Sequence, residues 1–352
     1  MTAPFAIAGR SIGPDEPVYV IAEVSANHGQ DYDTAARIVR GAAEAGADAV
    51  KLQTYTPDTI TIASNAPAFR AGEGSLWEGT TLYDLYQKAY MPWDWQPRLK
   101  ALAEELGLHC FSSPFDPTAV EFLLAMDVPA FKIASFELVD LPLIAYAAQT
   151  GLPVILSTGM ATYGEIEDAL GAVSGAGNDQ VALLRCASVY PAEPEIMNLR
   201  AMATLRDAFG VPVGPSDHTR GIAVAAAAAA LGAELVEKHF TLSRELEGPD
   251  HPFALEPGEL KAMVAGIREA EAALGSGRLE GPSEAESGEM YQLARRSVIA
   301  ATDIPAGTVI TEEMLAVKRP GYGIKPRDLP ILVGRTAKVD IEFDDVITWE
   351  MV

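Results

Sequence analysis

Val211-Pro-Val-Gly-Pro-Ser-Asp-His-Thr219 and Glu234-Leu-Val-Glu-Lys-His-Phe240 are two apolar runs, each closing on a polar cluster that holds a histidine. Histidine is scarce, five in 352 residues, so its appearance at two matching run ends carries weight. Six further runs share the design: residues 18–24, 49–54, 108–113, 130–135, 154–159 and 181–186. Between most of them lie Ala-, Leu- and Glu-rich stretches with helical periodicity, such as 34–45, 97–106, 118–126 and 222–231. The tripeptides GAD, GLH, GLP and GAE before the second, third, fifth and eighth runs place a glycine where a helix ends. Eight near-continuous apolar strands alternating with helices predict an α/β fold, a (β/α)8 TIM barrel. Its catalytic groups stand at the C-terminal strand ends. A doubly wound open sheet is the rival, but it calls for fewer strands and a Gly-rich phosphate turn after the first, which is absent from the sequence.

The barrel is expected over residues 1–274, a Gly/Ser/Glu/Pro linker over 275–292 and a small β-rich domain over 293–352. In that last part, β-like runs at 297–301, 309–310, 332–335 and 346–349 alternate with turns. A domain this small is marginal alone and is expected to dock on something. Residues 57–95 are long for a strand-to-helix loop, and Trp77 to Trp95 is aromatic, the makings of a lid or substrate wall. The same aromatics could also simply pack the insertion onto the barrel.

Charge narrows the partners. With 26 basic and 49 acidic residues the chain carries a formal charge of −23. That field repels nucleic acid and anionic lipid, so an anionic substrate must be met by a local basic pocket. No uncharged apolar run is long enough to span a membrane, and the N-terminal residues lack a secretory pattern. Cys110 and Cys186 sit in apolar runs and give no disulfide framework. A reducing cytoplasm is the expected location.

Polar residues gather at the C-terminal ends of the runs. Lys51 and Gln53 alternate, so they face the same side, toward the barrel interior. Lys132 also points inward, and with Lys51, Ser113, Ser135, Ser157 and Ser216 it would make a cradle for phosphate and carboxylate. A Schiff-base lysine of an aldolase is the alternative. His218 and His239 suit Mn2+ or a similar divalent ion, with water and substrate oxygens completing the shell. The plainer alternative is two hydrogen-bonded core histidines. Glu23 and Glu137 could orient hydroxyls or transfer protons, and His109, inside the third run, reads as structural.

The combination of Ile21-Ala-Glu-Val-Ser-Ala-Asn-His28, Lys51-Leu-Gln53, Lys132-Ile-Ala-Ser135, Ser157-Thr-Gly-Met160, Gly214-Pro-Ser-Asp-His-Thr219, Glu237-Lys-His-Phe240 and Gly248-Pro-Asp-His251 resembles the sialic acid synthases. These are phosphoenolpyruvate-dependent nonulosonic acid synthases. The C-terminal stretch, from Arg296-Ser-Val to Lys318-Arg-Pro-Gly321, is similar to their antifreeze-like (SAF) domain. The resemblance implies a transferase condensing phosphoenolpyruvate with an N-acylated amino sugar, with His218 and His239 holding Mn2+, or Mg2+ or Co2+. It gives Lys51, Ser113, Lys132, Ser135, Ser157 and Ser216 to phosphoenolpyruvate, and Gln53, Tyr190, Asp250 and Arg319 to the sugar. Glu23 and Glu137 are the implied catalytic or sugar-orienting carboxylates. A domain-swapped homodimer, one protomer's C-terminal domain capping its partner's barrel, is implied as well. Ser188 stands where sialic acid synthases often carry Asn, which changes a contact near the substrates. The segment 75–95 and Leu52-Gln-Thr-Tyr-Thr-Pro-Asp-Thr-Ile60 are similar to the pseudaminic acid synthase branch, whose sugar is a 2,4-diacetamido-2,4,6-trideoxy-L-altrose. An aromatic wall suits its methyl and second acetamido groups.

Overall fold

The computed structural model describes residues 5–72, 79–279 and 281–352. It divides into two compact units, one ending at Gly275 and one running from Ser276 to Val352. In the first unit eight strands form a closed barrel: β1 (Tyr19–Glu23), β2 (Ala49–Thr54), β3 (His109–Pro114), β4 (Phe131–Ile133), β5 (Val154–Ser157), β6 (Val181–Cys186), β7 (Val213–Asp217) and β8 (Leu235–His239). Neighbours pair in chain order, all parallel, and β8 closes on β1. Every residue of β1, β7 and β8 is buried, because interior packing covers one face and helices the other.

The helices explain themselves locally. Tyr32–Ala45 starts at Asp31, whose side chain accepts from the Thr34 N–H, and stops at Gly46 in the left-handed conformation. Its buried Ala35, Ile38, Val39, Ala42 and Ala45 make one apolar stripe against the strands. Closure of the barrel depends on Gly214. A Cβ there would lie 1.7 Å from the Leu235 carbonyl oxygen of β8, an approach that glycine alone permits.

An antiparallel hairpin, Phe5–Ile7 with Arg10–Ile12, stoppers the N-terminal end of the barrel. Phe5, Ile7 and Ile12 are buried in the barrel core. The Ala6 N–H donates to Gln180 at 3.4 Å, just before β6, and Arg10 pairs with Asp48, just before β2. Beneath it His109 Nδ1 and the Tyr19 hydroxyl are 2.7 Å apart. That histidine is structural, as its sequence position suggested.

In the second unit β9 (Ser297–Ala300) pairs antiparallel with β10 (Leu315–Lys318) over a core that includes Val298, Ile304, Ile310, Leu332, Ile341 and Ile347. Two local expectations fail. Residues 332–335 are not β: Leu332 ends a short helix, Leu329–Leu332, and Gly334 then turns the chain at φ 91. Pro330 in the first turn of that helix is the reason, since its ring suits a helix start. The stretch 275–292 also includes most of a short helix, Glu289–Ala294.

Candidate active site

Strand register assembles the site. Glu23 on β1 is level with Lys51 on β2 and His239 on β8, Gln53 with Ser113, and Glu237 with Ser216. Level residues on parallel strands point the same way, so these side chains meet inside the barrel mouth. Lys51 Nζ lies 2.9 Å from Glu23 Oε2 and 3.3 Å from Glu237 Oε1, and it donates to Ser113 Oγ at 3.4 Å. Lys132 Nζ reaches the same Glu237 oxygen at 3.3 Å, and Ser216 Oγ donates to it at 3.0 Å. Gln53 Nε2 donates to Glu23 Oε1 at 2.8 Å and to Ser25 Oγ at 3.1 Å. Ser25 Oγ in turn donates to Asp250.

The electrostatics follow from burial and proximity. Burial raises the Glu237 carboxyl, but Lys132 and Lys51 overcome it and hold the group at about 2. Burial raises Glu23, with Glu237 adding to the effect and Lys51 opposing it. Lys132 is lowered by burial even beside Glu237. Glu137, in the turn after β4, is pushed up to about 7 by burial. Ser157 Oγ, Glu237 Oε2, Glu137 Oε2 and His239 Nδ1 are buried without a hydrogen-bond partner. Unmet polar atoms next to two ammonium groups mark a place shaped for an anionic or polar ligand.

The two histidines face each other with ring centroids 5.1 Å apart. His218 Nδ1 and the Ala187 carbonyl oxygen are 2.9 Å apart, and donation from Nδ1 leaves Nε2 as the lone-pair nitrogen. His239 is held far below the usual imidazole range, first by burial and then by His218, so it stays neutral. Two imidazoles with free nitrogens fit a divalent transition metal. Among the described residues no group of three or more His, Cys, Asp or Glu could hold a metal. Water or substrate oxygens would have to supply the other positions. Tyr190 lies over the His218 ring at 4.2 Å.

At the ends of β4, β5 and β6 the packing is close. Gly159 N donates to Ser135 Oγ at 3.1 Å, and a Cβ on Gly159 would lie 2.1 Å from Ser188 Oγ. Arg319 belongs to the second unit, just past β10. Of the aromatic insertion, Trp77 lies outside the described residues. Trp93 packs on Phe122 and Trp95 on Tyr32 and His28, fixing the segment to the barrel. Tyr86 differs: it meets Tyr55, which also meets Phe115. The Tyr55 phenol is raised by burial and by Asp250 and Glu23, and Tyr86 by burial and Glu137, which puts this pair beside the polar cluster.

Three residues had no role assigned from the sequence. Glu237 sits two residues before His239, the spacing that puts both on one strand face, and so was readable. Ser25 and Cys186 were not, because their partners come from distant elements. Cys186 Sγ is 3.7 Å from His218 Nδ1.

A (β/α)8 barrel with its polar residues gathered at the C-terminal strand ends has the build of a barrel enzyme. The NeuB family matches residues 38–279 and the SAF domain residues 295–352. The chain is 40% identical over 333 residues to a pseudaminic acid synthase of Campylobacter jejuni, covering 95% of this chain and 96% of that protein. It is 36% identical over 342 residues to an N,N'-diacetyllegionaminic acid synthase of Legionella pneumophila, covering 96% and 95%. The crystal structure of an N-acetylneuraminic acid synthetase from Leptospira borgpetersenii, in complex with citrate, superposes with a TM-score of 0.73 at 33% identity, covering 83% of this chain and 96% of that one. The chain belongs to the NeuB family, the sialic acid synthases, and it is an enzyme of the transferase class.

Proposed function

We propose that this enzyme is a pseudaminic acid synthase, condensing phosphoenolpyruvate with 2,4-diacetamido-2,4,6-trideoxy-L-altrose and water to give pseudaminic acid and phosphate. The observation that carries the anionic substrate is the pair of buried lysines, Lys51 and Lys132, converging on one carboxylate, with the Ser157 hydroxyl buried and unpartnered at the end of β5. In this reading they bind phosphate and carboxylate together with Ser113, Ser135, Ser157 and Ser216. Gln53, Tyr190, Asp250 and Ser188 meet the sugar. The Tyr55–Tyr86–Phe115 wall supports the less polar altrose derivative, whose methyl group gains by burial. A legionaminate or neuraminate synthase is the second reading, favoured by the identity to the Legionella relative.

The chemistry assigned to the residues balances as follows. C3 of phosphoenolpyruvate bonds to the sugar aldehyde carbon while Glu137, poised near neutrality, gives its proton to the aldehyde oxygen. Water adds at C2, returning a proton to Glu137; the C2–O bond to phosphate then breaks as the C2 hydroxyl becomes the ketone and its proton leaves with phosphate. Glu23 holds Lys51 and Gln53 in place. His218 and His239 would hold a divalent ion, Mn2+ foremost with Mg2+ or Co2+ also suited, and when bound it supplies Lewis-acid polarisation of the aldehyde.

A homodimer is part of the proposal, with Arg319 from a second copy reaching the sugar. Phe136, Val139, Met160 and Val189, on the loops after β4, β5 and β6, are all more than half exposed, and such a copy would cover them. Sedimentation should give twice the monomer mass. A cytoplasmic location fits two buried free cysteines.

The deciding experiment is phosphate release from phosphoenolpyruvate with the altrose derivative, N-acetylmannosamine and the legionaminic precursor in parallel. The altrose derivative should give the highest kcat/KM; preference for either of the others overturns the assignment. Oxygen-labelled water should mark the keto acid, and label in phosphate would rule out C–O cleavage. Borohydride with pyruvate should trap no adduct, which separates this route from a Schiff-base aldolase.

A further inference from the structure

Ser25, two residues past the end of β1, holds a left-handed backbone conformation with φ +48. Glycine adopts that conformation freely and a serine does not. The side chain is buried and linked on both sides. Its hydroxyl donates to Asp250 Oδ2, in the loop after β8, and accepts from Gln53 Nε2 on β2 at 3.1 Å. The next backbone N–H, of Ala26, approaches the same Asp250 oxygen at 3.4 Å. One hydroxyl therefore ties together three elements that no local sequence pattern joins.

The direction of these bonds has a chemical result. Gln53 spends its amide N–H groups on Ser25 and Glu23, so its amide is turned with Oε1 away from them. Asp250 receives Ser25 and Ala26 on Oδ2 alone. Among the described residues no hydrogen bond uses Asp250 Oδ1 or Gln53 Oε1 as an acceptor, which leaves two acceptors for a ligand.

We propose that Ser25 is a positioning residue that sets Asp250 and Gln53 as one acceptor edge, selecting sugars that present hydrogen-bond donors there, hydroxyl or acetamido N–H. The inference rests on the reading that Asp250 and Gln53 meet the sugar. A merely structural serine would be better replaced by glycine at this φ, with no kinetic consequence.

Ser25→Gly and Ser25→Ala separate the two roles. Glycine relieves the backbone, so Ser25→Gly should melt no lower than wild type, whereas Ser25→Ala keeps the strain and loses the bonds, and should melt lower. Both should raise KM for the sugar about tenfold, the scale of a hydrogen bond to a charged group, and leave KM for phosphoenolpyruvate within about twofold. In the Ser25→Gly/Asp250→Ala double variant the effects should fall well short of additive, because both changes undo the same edge. An unchanged sugar KM in Ser25→Gly, with Asp250→Ala and Gln53→Ala each raising it, overturns the role of Ser25 alone. An unchanged sugar KM in Asp250→Ala and Gln53→Ala overturns the underlying sugar reading instead.

Discussion

Strands β7 and β8 carry two buried charge clusters on opposite walls. On the outer wall Lys238 pairs with Asp217 at 2.8 Å, level in register. That pair is complete: Asp217 Oδ1 also accepts from Thr219 N at 2.8 Å, and Lys238 also donates to the Thr219 carbonyl. On the inner wall Glu237 shares one oxygen between Lys51 and Lys132 at 3.3 Å each, while its other oxygen has no hydrogen-bond partner. Residue types and burial are nearly the same. The difference lies in satisfaction: a closed pair holds the barrel together, and an open cluster waits for a ligand.

Four perturbations test that contrast. Lys132→Met should lower kcat/KM by about a thousandfold or more, as expected for removing a cation that faces developing charge. Its melting temperature should hold or rise, because Lys51 still pairs with Glu237 once the buried Lys132 ammonium is gone. Lys238→Met should do the reverse, costing about 3–5 kcal/mol of stability by stranding the Asp217 carboxylate while folded molecules keep normal kinetics. Loss of specific activity in Lys238→Met but not in Lys132→Met would erase the distinction. Glu137→Gln has a pH signature. The wild-type carboxyl, raised to about 7 in the folded state, contributes full stability below about pH 4.5 and loses it as pH rises through 7. The glutamine variant should therefore match wild type at low pH and exceed it above pH 7 by roughly 1–2 kcal/mol, a half-buried group being partly screened. Denaturant titrations at pH 4.5 and 8 check this, and a constant difference would contradict it. The smallest effect is expected at Ser157→Ala. Its hydroxyl has no partner to lose, so stability should be unchanged while KM for phosphoenolpyruvate rises about fivefold.

The barrel was legible because its strands are continuous apolar runs and its helices end at glycines, both local signals. Lys51 and Gln53 were legible by alternation along a strand, and the two histidines by their scarcity and their places at run ends. The convergence of Lys51 and Lys132 on Glu237 was not, since register between strands and distance across a barrel are properties of the closed sheet. Lys238 illustrates the same limit. It stands between Glu237 and His239 in the sequence, yet the pleat turns it to the opposite wall. In the second unit, Leu315–Lys318 escaped notice as too short to show a pattern, and 332–335 passed for a strand because so short a run carries no period to set it apart from the helix end at Leu332.

The hairpin under the barrel, clamped by Arg10 to Asp48 and packed into the core through Phe5, Ile7 and Ile12, closes the N-terminal end and leaves access at the C-terminal strand ends. In the reaction proposed above, both substrates enter, and phosphate and keto acid leave, through the same opening at the C-terminal strand ends. Traffic is therefore single file. A product still in the mouth acts as a competitor for the next substrate, and whatever covers that opening governs arrival and departure alike.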